Sequence, residues 1–172
     1  MKVAAVQLTS TGNITENQEL ALAKIREAAG NGARLIVLPE ATAQNFRSGR
    51  LDEQAQTLEG PFATAIQALA EELEVTVVAG MFCPADTVER EGKTINRVTN
   101  TALIAGPGVL GGYDKIHTYD AFDYRESDTV LAGESLVAFD VDDLIVGVAT
   151  CYDIRFPEQF KELASQGAQL IV

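Results

Sequence analysis

Val3-Ala4-Ala5-Val6-Gln7-Leu8 and Arg34-Leu35-Ile36-Val37-Leu38 are short, nearly continuous apolar runs on either side of one helical pattern. Runs of that kind suit strands covered on both faces. Between them, Thr15-Glu16-Asn17-Gln18 reads as a capping box, in which Thr15 and Gln18 satisfy each other's free N–H groups. Leu22, Ile25 and Ala29 then recur at helical spacing, and Gly30 and Gly32 supply stops. Strand, helix, strand is the unit that builds a parallel sheet.

Working outward, the pattern repeats. Gly60-Pro61 opens a second helix with proline at its first position, and Phe62, Ile66, Leu69 and Leu73 share one face. Val75–Ala79 reads as the third strand. Residues 95–105 and 109–115 then form a hairpin about Gly106-Pro107-Gly108, and 136–141 and 144–150 another about Asp142-Asp143. A helix over 157–166 and a strand over 168–172 follow. The order is βαβαβ, two hairpins, then βαβ, which predicts an α/β protein with a mixed sheet or two sheets.

The chain has 172 residues, enough for one domain that buries roughly 70% of its unfolded surface. Its net charge of −12 excludes nonspecific nucleic-acid binding, because a phosphate backbone is repelled. Two cysteines make no disulfide framework. Residues 3–8 are too short and interrupted for a signal-peptide core, and no apolar run approaches the ~18 residues of a membrane span. The expectation is a cytoplasmic protein, in which the Asn13-Ile14-Thr15 sequon carries no meaning. The charge-rich stretch 85–93 reads as a solvated loop.

Three reactive side chains follow predicted strands: Glu40 after 34–38, Lys115 at the end of 109–115, and Cys151 after 144–150. In α/β sheets, sites form outside the carboxyl ends of strands. A thiol near pKa 8.5 is mostly protonated at neutral pH. A nearby ammonium favours its thiolate, a carboxylate can take its proton, and the ammonium can also hold an oxyanion. Taken singly, each has a plainer reading: a core thiol, a loop carboxylate, a snorkelling lysine.

Other patterns lead nowhere. Gly106-Pro107-Gly108-Val109-Leu110-Gly111 matches G-x-G-x-x-G but leads into a strand, so no helix N-terminus is there to hold a pyrophosphate. Asp140–Asp143 lacks the spacing of a calcium loop, and one His with two distant Cys cannot make a structural zinc site. Cys83 is read as a thiol without a role. His117, two residues from Lys115, offers a Cys151–His117 dyad as an alternative catalytic pair.

Read together, Leu38-Pro39-Glu40, Tyr113-Asp114-Lys115-Ile116-His117 and Cys151-Tyr152-Asp153-Ile154-Arg155-Phe156-Pro157-Glu158 occur in an order that resembles the nitrilase superfamily of carbon–nitrogen hydrolases. Ala5-Val6-Gln7-Leu8 is similar to that family's first strand, so the resemblance spans residues 3–172. It implies a nitrilase-like α-β-β-α sandwich over a single domain, 1–172. It also implies a triad: Cys151 as nucleophile, Glu40 as general base, Lys115 at the tetrahedral intermediate. The Tyr152 backbone N–H is the implied second oxyanion donor, and no metal or organic cofactor is implied.

Tyr119-Asp120-Ala121-Phe122 and Tyr124-Arg125-Glu126-Ser127 look like the segment carrying the family's second glutamate, making Glu126 the fourth site residue. The segment 113–127 most resembles amidases of deaminated glutathione, with ω-amidases of 2-oxo acids sharing much of it. Both substrate classes carry carboxylates, so a cation near the pocket is expected. Arg155 is the first candidate, against a reading in which it pairs with Asp153 or Glu158; Arg47 and Arg50 are alternatives. Members of the family commonly form homodimers or larger assemblies. They continue beyond the point matching Val172, so the chain is read as the N-terminal portion of a truncated domain, incomplete at its C-terminus. Two further readings stay open: a non-catalytic, self-associating fragment, and a related acyl transfer or nitrile hydrolysis through the same thioester.

Overall fold

The computed structural model describes residues 1–172. Its first half runs β1 (Val3–Ala5), α1 (Ile14–Gly30), β2 (Leu35–Val37), α2 (Pro61–Glu72) and β3 (Thr76–Arg90). Then come β4 (Lys93–Gly106), β5 (Val109–Asp114), the two-residue pair β6 (Asp120–Ala121) and β7 (Tyr124–Arg125), and β8 (Val130–Leu131). The chain closes with β9 (Ala138–Val141), β10 (Leu144–Gly147), α3 (Pro157–Ser165) and β11 (Leu170–Ile171).

The first sheet has the order β1-β2-β3-β4-β5. β1, β2 and β3 are parallel, β4 and β5 return antiparallel, and β8 joins β4 in parallel at Val98–Thr99, where β5 has departed. The second sheet is β11-β10-β9, parallel then antiparallel. Alternation along the strands divides the core in two. Ile36, Val77, Ala79, Leu103 and Ala105 face α1 and α2, where they meet Ile25, Phe62, Ile66 and Leu69. Leu35, Val78, Ala102, Ile104 and Tyr113 point the other way, onto Phe139, Val141 and Val146 of the second sheet and Val148 just beyond it. Each fully buried Val, Leu, Ile or Phe side chain among them contributes about 1.5–3 kcal/mol. On the far side of β10, α3 sets Leu163 against Gly147, whose added Cβ would lie 3.2 Å from the leucine methyls. The layers are α-β-β-α, the sandwich expected.

The structure departs from the sequence reading in local detail. The cap of α1 is Asn13, whose side chain accepts from the Thr15 and Glu16 amides, and not a Thr15–Gln18 box. An amide oxygen one residue upstream of the helix reaches those amides, so the helix starts earlier. β1 stops at Ala5; Val6 gives one more hydrogen bond, to the Val37 carbonyl at 2.8 Å, before the chain leaves the sheet. The charged stretch 85–93 is no loop but the twisted outer end of the β3–β4 hairpin, turning at Glu91 and Gly92, both at positive φ. No helix is long and apolar enough to cross a membrane.

Candidate active site

β2 ends at Val37, and Leu38-Pro39 carry the chain across the end of β3 to Glu40. The crossing is close. Gly80 of β3 donates its N–H to the Pro39 carbonyl at 3.1 Å and accepts from the Ala43 amide at 3.0 Å. A Cβ on Gly80 would sit 1.6 Å from the Glu40 carbonyl oxygen, so only glycine lets the carboxylate-bearing turn lie there. Asn17 of α1, also buried, donates to the Ala43 carbonyl at 2.9 Å and holds the turn from the other side.

Lys115 follows β5 and is 2% exposed. Its backbone carbonyl accepts from Gly133 N–H at 2.9 Å, another position where a Cβ would collide, at 2.1 Å from the Asp114 carbonyl oxygen. The ammonium lies 3.1 Å from Glu40 Oε1 and 2.8 Å from Glu126 Oε2. Burial disfavours the charge, but Glu126 and Glu40 outweigh it and hold the Lys115 pKa above its ordinary value. Glu126 is itself buried, in a one-turn helix over Glu126–Asp128, and accepts from the Tyr119 amide at 2.6 Å. Asn100 on β4 completes the group: its side-chain amide donates to Glu40 Oε1 at 2.7 Å and to Glu126 Oε1 at 3.2 Å. The sequence reading missed Asn100. Its place among alternating strand residues gave no signal, because what matters is the pair of carboxylates it meets across the sheet end.

Cys151 opens a short 3₁₀ turn, Cys151–Arg155, separated by three residues from the end of the second sheet's β10. It is solvent-exposed and has φ of 50°, a left-handed backbone that non-glycine residues seldom adopt. Asp153, wholly buried, holds the turn. Its carboxylate accepts from Thr150 N–H at 2.8 Å, Tyr113 O–H at 2.6 Å and His117 N–H at 3.0 Å. Tyr113 and His117 flank Lys115 in sequence, so this one carboxylate ties the cysteine turn to the lysine segment across the two sheets. Gln159 of α3 donates to the Tyr113 oxygen at 2.8 Å. Burial, reinforced by Asp153, pushes the Tyr113 phenol far above its ordinary pKa.

Glu40, Lys115, Glu126 and Cys151 all line one open cavity of about 460 Å³. Phe46, Arg47, Tyr119, Ala121, Phe122 and Tyr124 make up the rest of its wall. A smaller space of about 100 Å³, reached by Glu40, Asn100 and Cys151, lies behind it between the sheets. Within this setting the Cys151 thiol is held above its ordinary pKa. Burial is the largest cause and the Glu40 charge adds to it, while Lys115 opposes both and loses. The expected thiolate preference from a neighbouring lysine is therefore reversed, because burial and the Glu40 charge together outweigh the Lys115 ammonium.

The remaining candidates separate. His117 does not line the cavity; its ring stacks on Phe156 at 3.6 Å and its Nδ1 lies 2.8 Å from Asp153 Oδ1, so the structure offers no Cys151–His117 pair. Arg155 is exposed, lines neither cavity beside Cys151 and pairs with neither Asp153 nor Glu158, since Asp153 is turned inward. Arg50 is taken by Asp52 at 2.6 Å. The Tyr152 ring packs edge-on to Tyr119 and Phe156, beside the cavity rather than in it. Cys83 is half-buried in β3, with burial raising its pKa.

The carbon–nitrogen hydrolase family model matches residues 2–172. The chain is similar to a hydrolase of Mycobacterium tuberculosis, 43% identical over 99% of this chain and 59% of the relative. It is similar also to a deaminated glutathione amidase of Synechocystis, 36% identical over 98% of this chain and 63% of the relative. The chain thus spans about three-fifths of the length of these relatives. Among solved structures, an amidase of Nesterenkonia from the nitrilase superfamily superposes with a TM-score of 0.80 at 21% identity, over 99% of this chain and 63% of that one.

Proposed function

Since the chain belongs to the carbon–nitrogen hydrolase family, we propose that the protein is a thiol-dependent amidase. On this reading it converts a small, carboxylated linear amide of the deaminated glutathione type to acid and ammonia. One observation carries it: a buried ammonium clamped between two carboxylates faces the same cavity as an exposed cysteine on a strained turn.

The chemistry follows from that arrangement. The Cys151 thiol is protonated at rest, so Glu40 must take its proton as sulfur attacks the amide carbon. The carbonyl oxygen becomes an oxyanion, held by Lys115 Nζ and the Tyr152 backbone N–H. The three Lys115 N–H donors reach Glu40 Oε1 and both oxygens of Glu126, so the incoming oxygen takes up one of them in exchange for a carboxylate contact. Glu40 gives its proton to the leaving nitrogen, the C–N bond breaks, and ammonia departs from a thioester. Water then attacks the thioester as Glu40 removes a proton. The C–S bond breaks, the proton returns to sulfur, and the carboxylic acid is released. Glu126, fixed by the Tyr119 amide, keeps Lys115 charged and in place throughout.

Ammonia release from deaminated glutathione and from 2-oxoglutaramate, with Cys151→Ala as control, tests the reading. Release lost to background in the variant is the expected result, and the preferred substrate separates the deaminated glutathione amidase from an ω-amidase. Release that survives in Cys151→Ala overturns it.

A further inference from the structure

The cavity over Cys151 holds four charged side chains besides the thiol: Glu40, Glu126, Lys115 and Arg47. The first three form one closed unit, with Lys115 bonded to both carboxylates. That unit sets two carboxyl groups against one ammonium, in a protein whose net charge is −12. An anionic substrate approaching it meets repulsion, unless a separate cation is present.

Arg47 is that cation. Elsewhere in the protein Arg34, Arg50, Arg90, Arg97 and Arg125 each pair with an aspartate, while Arg26 and Arg155 have no carboxylate partner but do not line this cavity. Arg47 lines the cavity and has no carboxylate partner. Its backbone is nevertheless fixed. The Arg47 N–H donates to Asn45 Oδ1 at 2.9 Å, and Ser48 closes the turn on the Asn45 carbonyl through both its hydroxyl, at 2.6 Å, and its amide, at 3.1 Å. Asn45 is anchored in turn on the Thr11 carbonyl at 3.0 Å. Phe46 packs edge-on to Phe82 at 5.3 Å. The root of the side chain is thus held at the cavity wall, while the guanidinium remains unpaired and open to solvent.

We infer that Arg47 is the residue that reads the substrate's carboxylate, receiving it on the guanidinium fork while the amide end lies at Cys151. The planar fork matches a carboxylate's two oxygens, which a lysine's single ammonium does not. The inference rests on the amidase reading and assigns a residue to the carboxylate end of its substrate.

The test compares succinamate, the simplest four-carbon chain with one amide and one carboxylate, with its methyl ester, which keeps the amide and loses the charge. In Arg47→Ala the KM for succinamate rises about ten- to a hundred-fold, the order of one charge-assisted contact, with kcat changed only a few-fold. The ester's kcat/KM stays within about twofold. Arg47→Lys recovers part of the loss. An equal effect on both substrates, or none on either, overturns the inference. Calorimetric binding of succinamate to Cys151→Ala, with and without Arg47→Ala, separates the two readings. Binding that needs Arg47 supports the carboxylate site even where the active protein releases no ammonia, a result that would reject only the amidase. Binding indifferent to Arg47 rejects the site, whatever the turnover.

Discussion

Cys151 is an exposed thiol on a left-handed backbone, a conformation that costs about 1–3 kcal/mol and is met here by the Asp153 contacts that hold the turn. Desolvation and the Glu40 charge keep that thiol protonated. Glu40→Gln tests the balance with two readouts that move in opposite directions. Turnover falls by about 10²–10⁴, the usual worth of a general base. Alkylation of Cys151 at a given pH becomes faster. Removing a negative neighbour lowers the thiol pKa, so the alkylation–pH profile moves to lower pH. A profile that stays in place, or moves up, contradicts the role assigned to Glu40. The Lys115 pKa is likewise raised on folding, so its stabilising contribution is complete below the unfolded value near 10.5 and is lost as pH rises through the folded one. Cys151, Lys115, Glu40 and Glu126 were legible as residues in ordered motifs. Asn100 was not, because its meaning lies in the partners it meets.

At the scale of elements, the site depends on close backbone crossings more than on strand propensity. Gly80 lets the Pro39–Glu40 turn lie on β3, and Gly133 lets a later segment lie on the end of β5 at Asp114–Lys115. Gly80→Ala must push the Glu40 carbonyl away from a contact of 1.6 Å. The expected cost is about 1–3 kcal/mol of stability, as for other overpacked sites. A displacement of about 1 Å at Glu40 lowers kcat about a hundred-fold. Urea unfolding and steady-state kinetics on the same variant check both numbers, and unchanged kcat would show that the turn tolerates the shift. The element boundaries were the less legible part of the sequence. Residues 85–93 form a hairpin arm although their charge suggests a loop, because an exposed antiparallel pair needs backbone pairing and a turn, not an apolar face.

For the whole molecule, the decisive contact is Tyr113 to Asp153. Tyr113 belongs to the first sheet and packs in the core between the sheets, while Asp153 belongs to the turn that follows β10 of the second. Tyr113→Phe removes one donor from a buried carboxylate and leaves the Gln159 amide without its acceptor. The expected loss is about 1–3 kcal/mol, seen as a Tm lower by several degrees. The kcat falls as well, because the cysteine turn loses its tie to the lysine strand. Calorimetry with kinetics on this variant checks the coupling, and a lower Tm with unaltered kcat would mean that the tie serves stability alone.

The sequence by itself determined the alternation of strands and helices and singled out Glu40, Lys115, Glu126 and Cys151, which line one cavity. Hydrophobic periodicity and ordered motifs are local properties, and local properties survive in a linear string. The tertiary structure decided which groups share a proton or a charge. It turned Asp153 inward and took His117 away from Cys151. It set Lys115 between two carboxylates, it placed Cys151 where burial and the Glu40 charge raise the thiol pKa, and it left Arg47, not Arg155, at the cavity wall. Those outcomes depend on burial and on distances of about 3 Å between residues far apart in the chain, where electrostatic energies change steeply and sequence spacing carries no record of them.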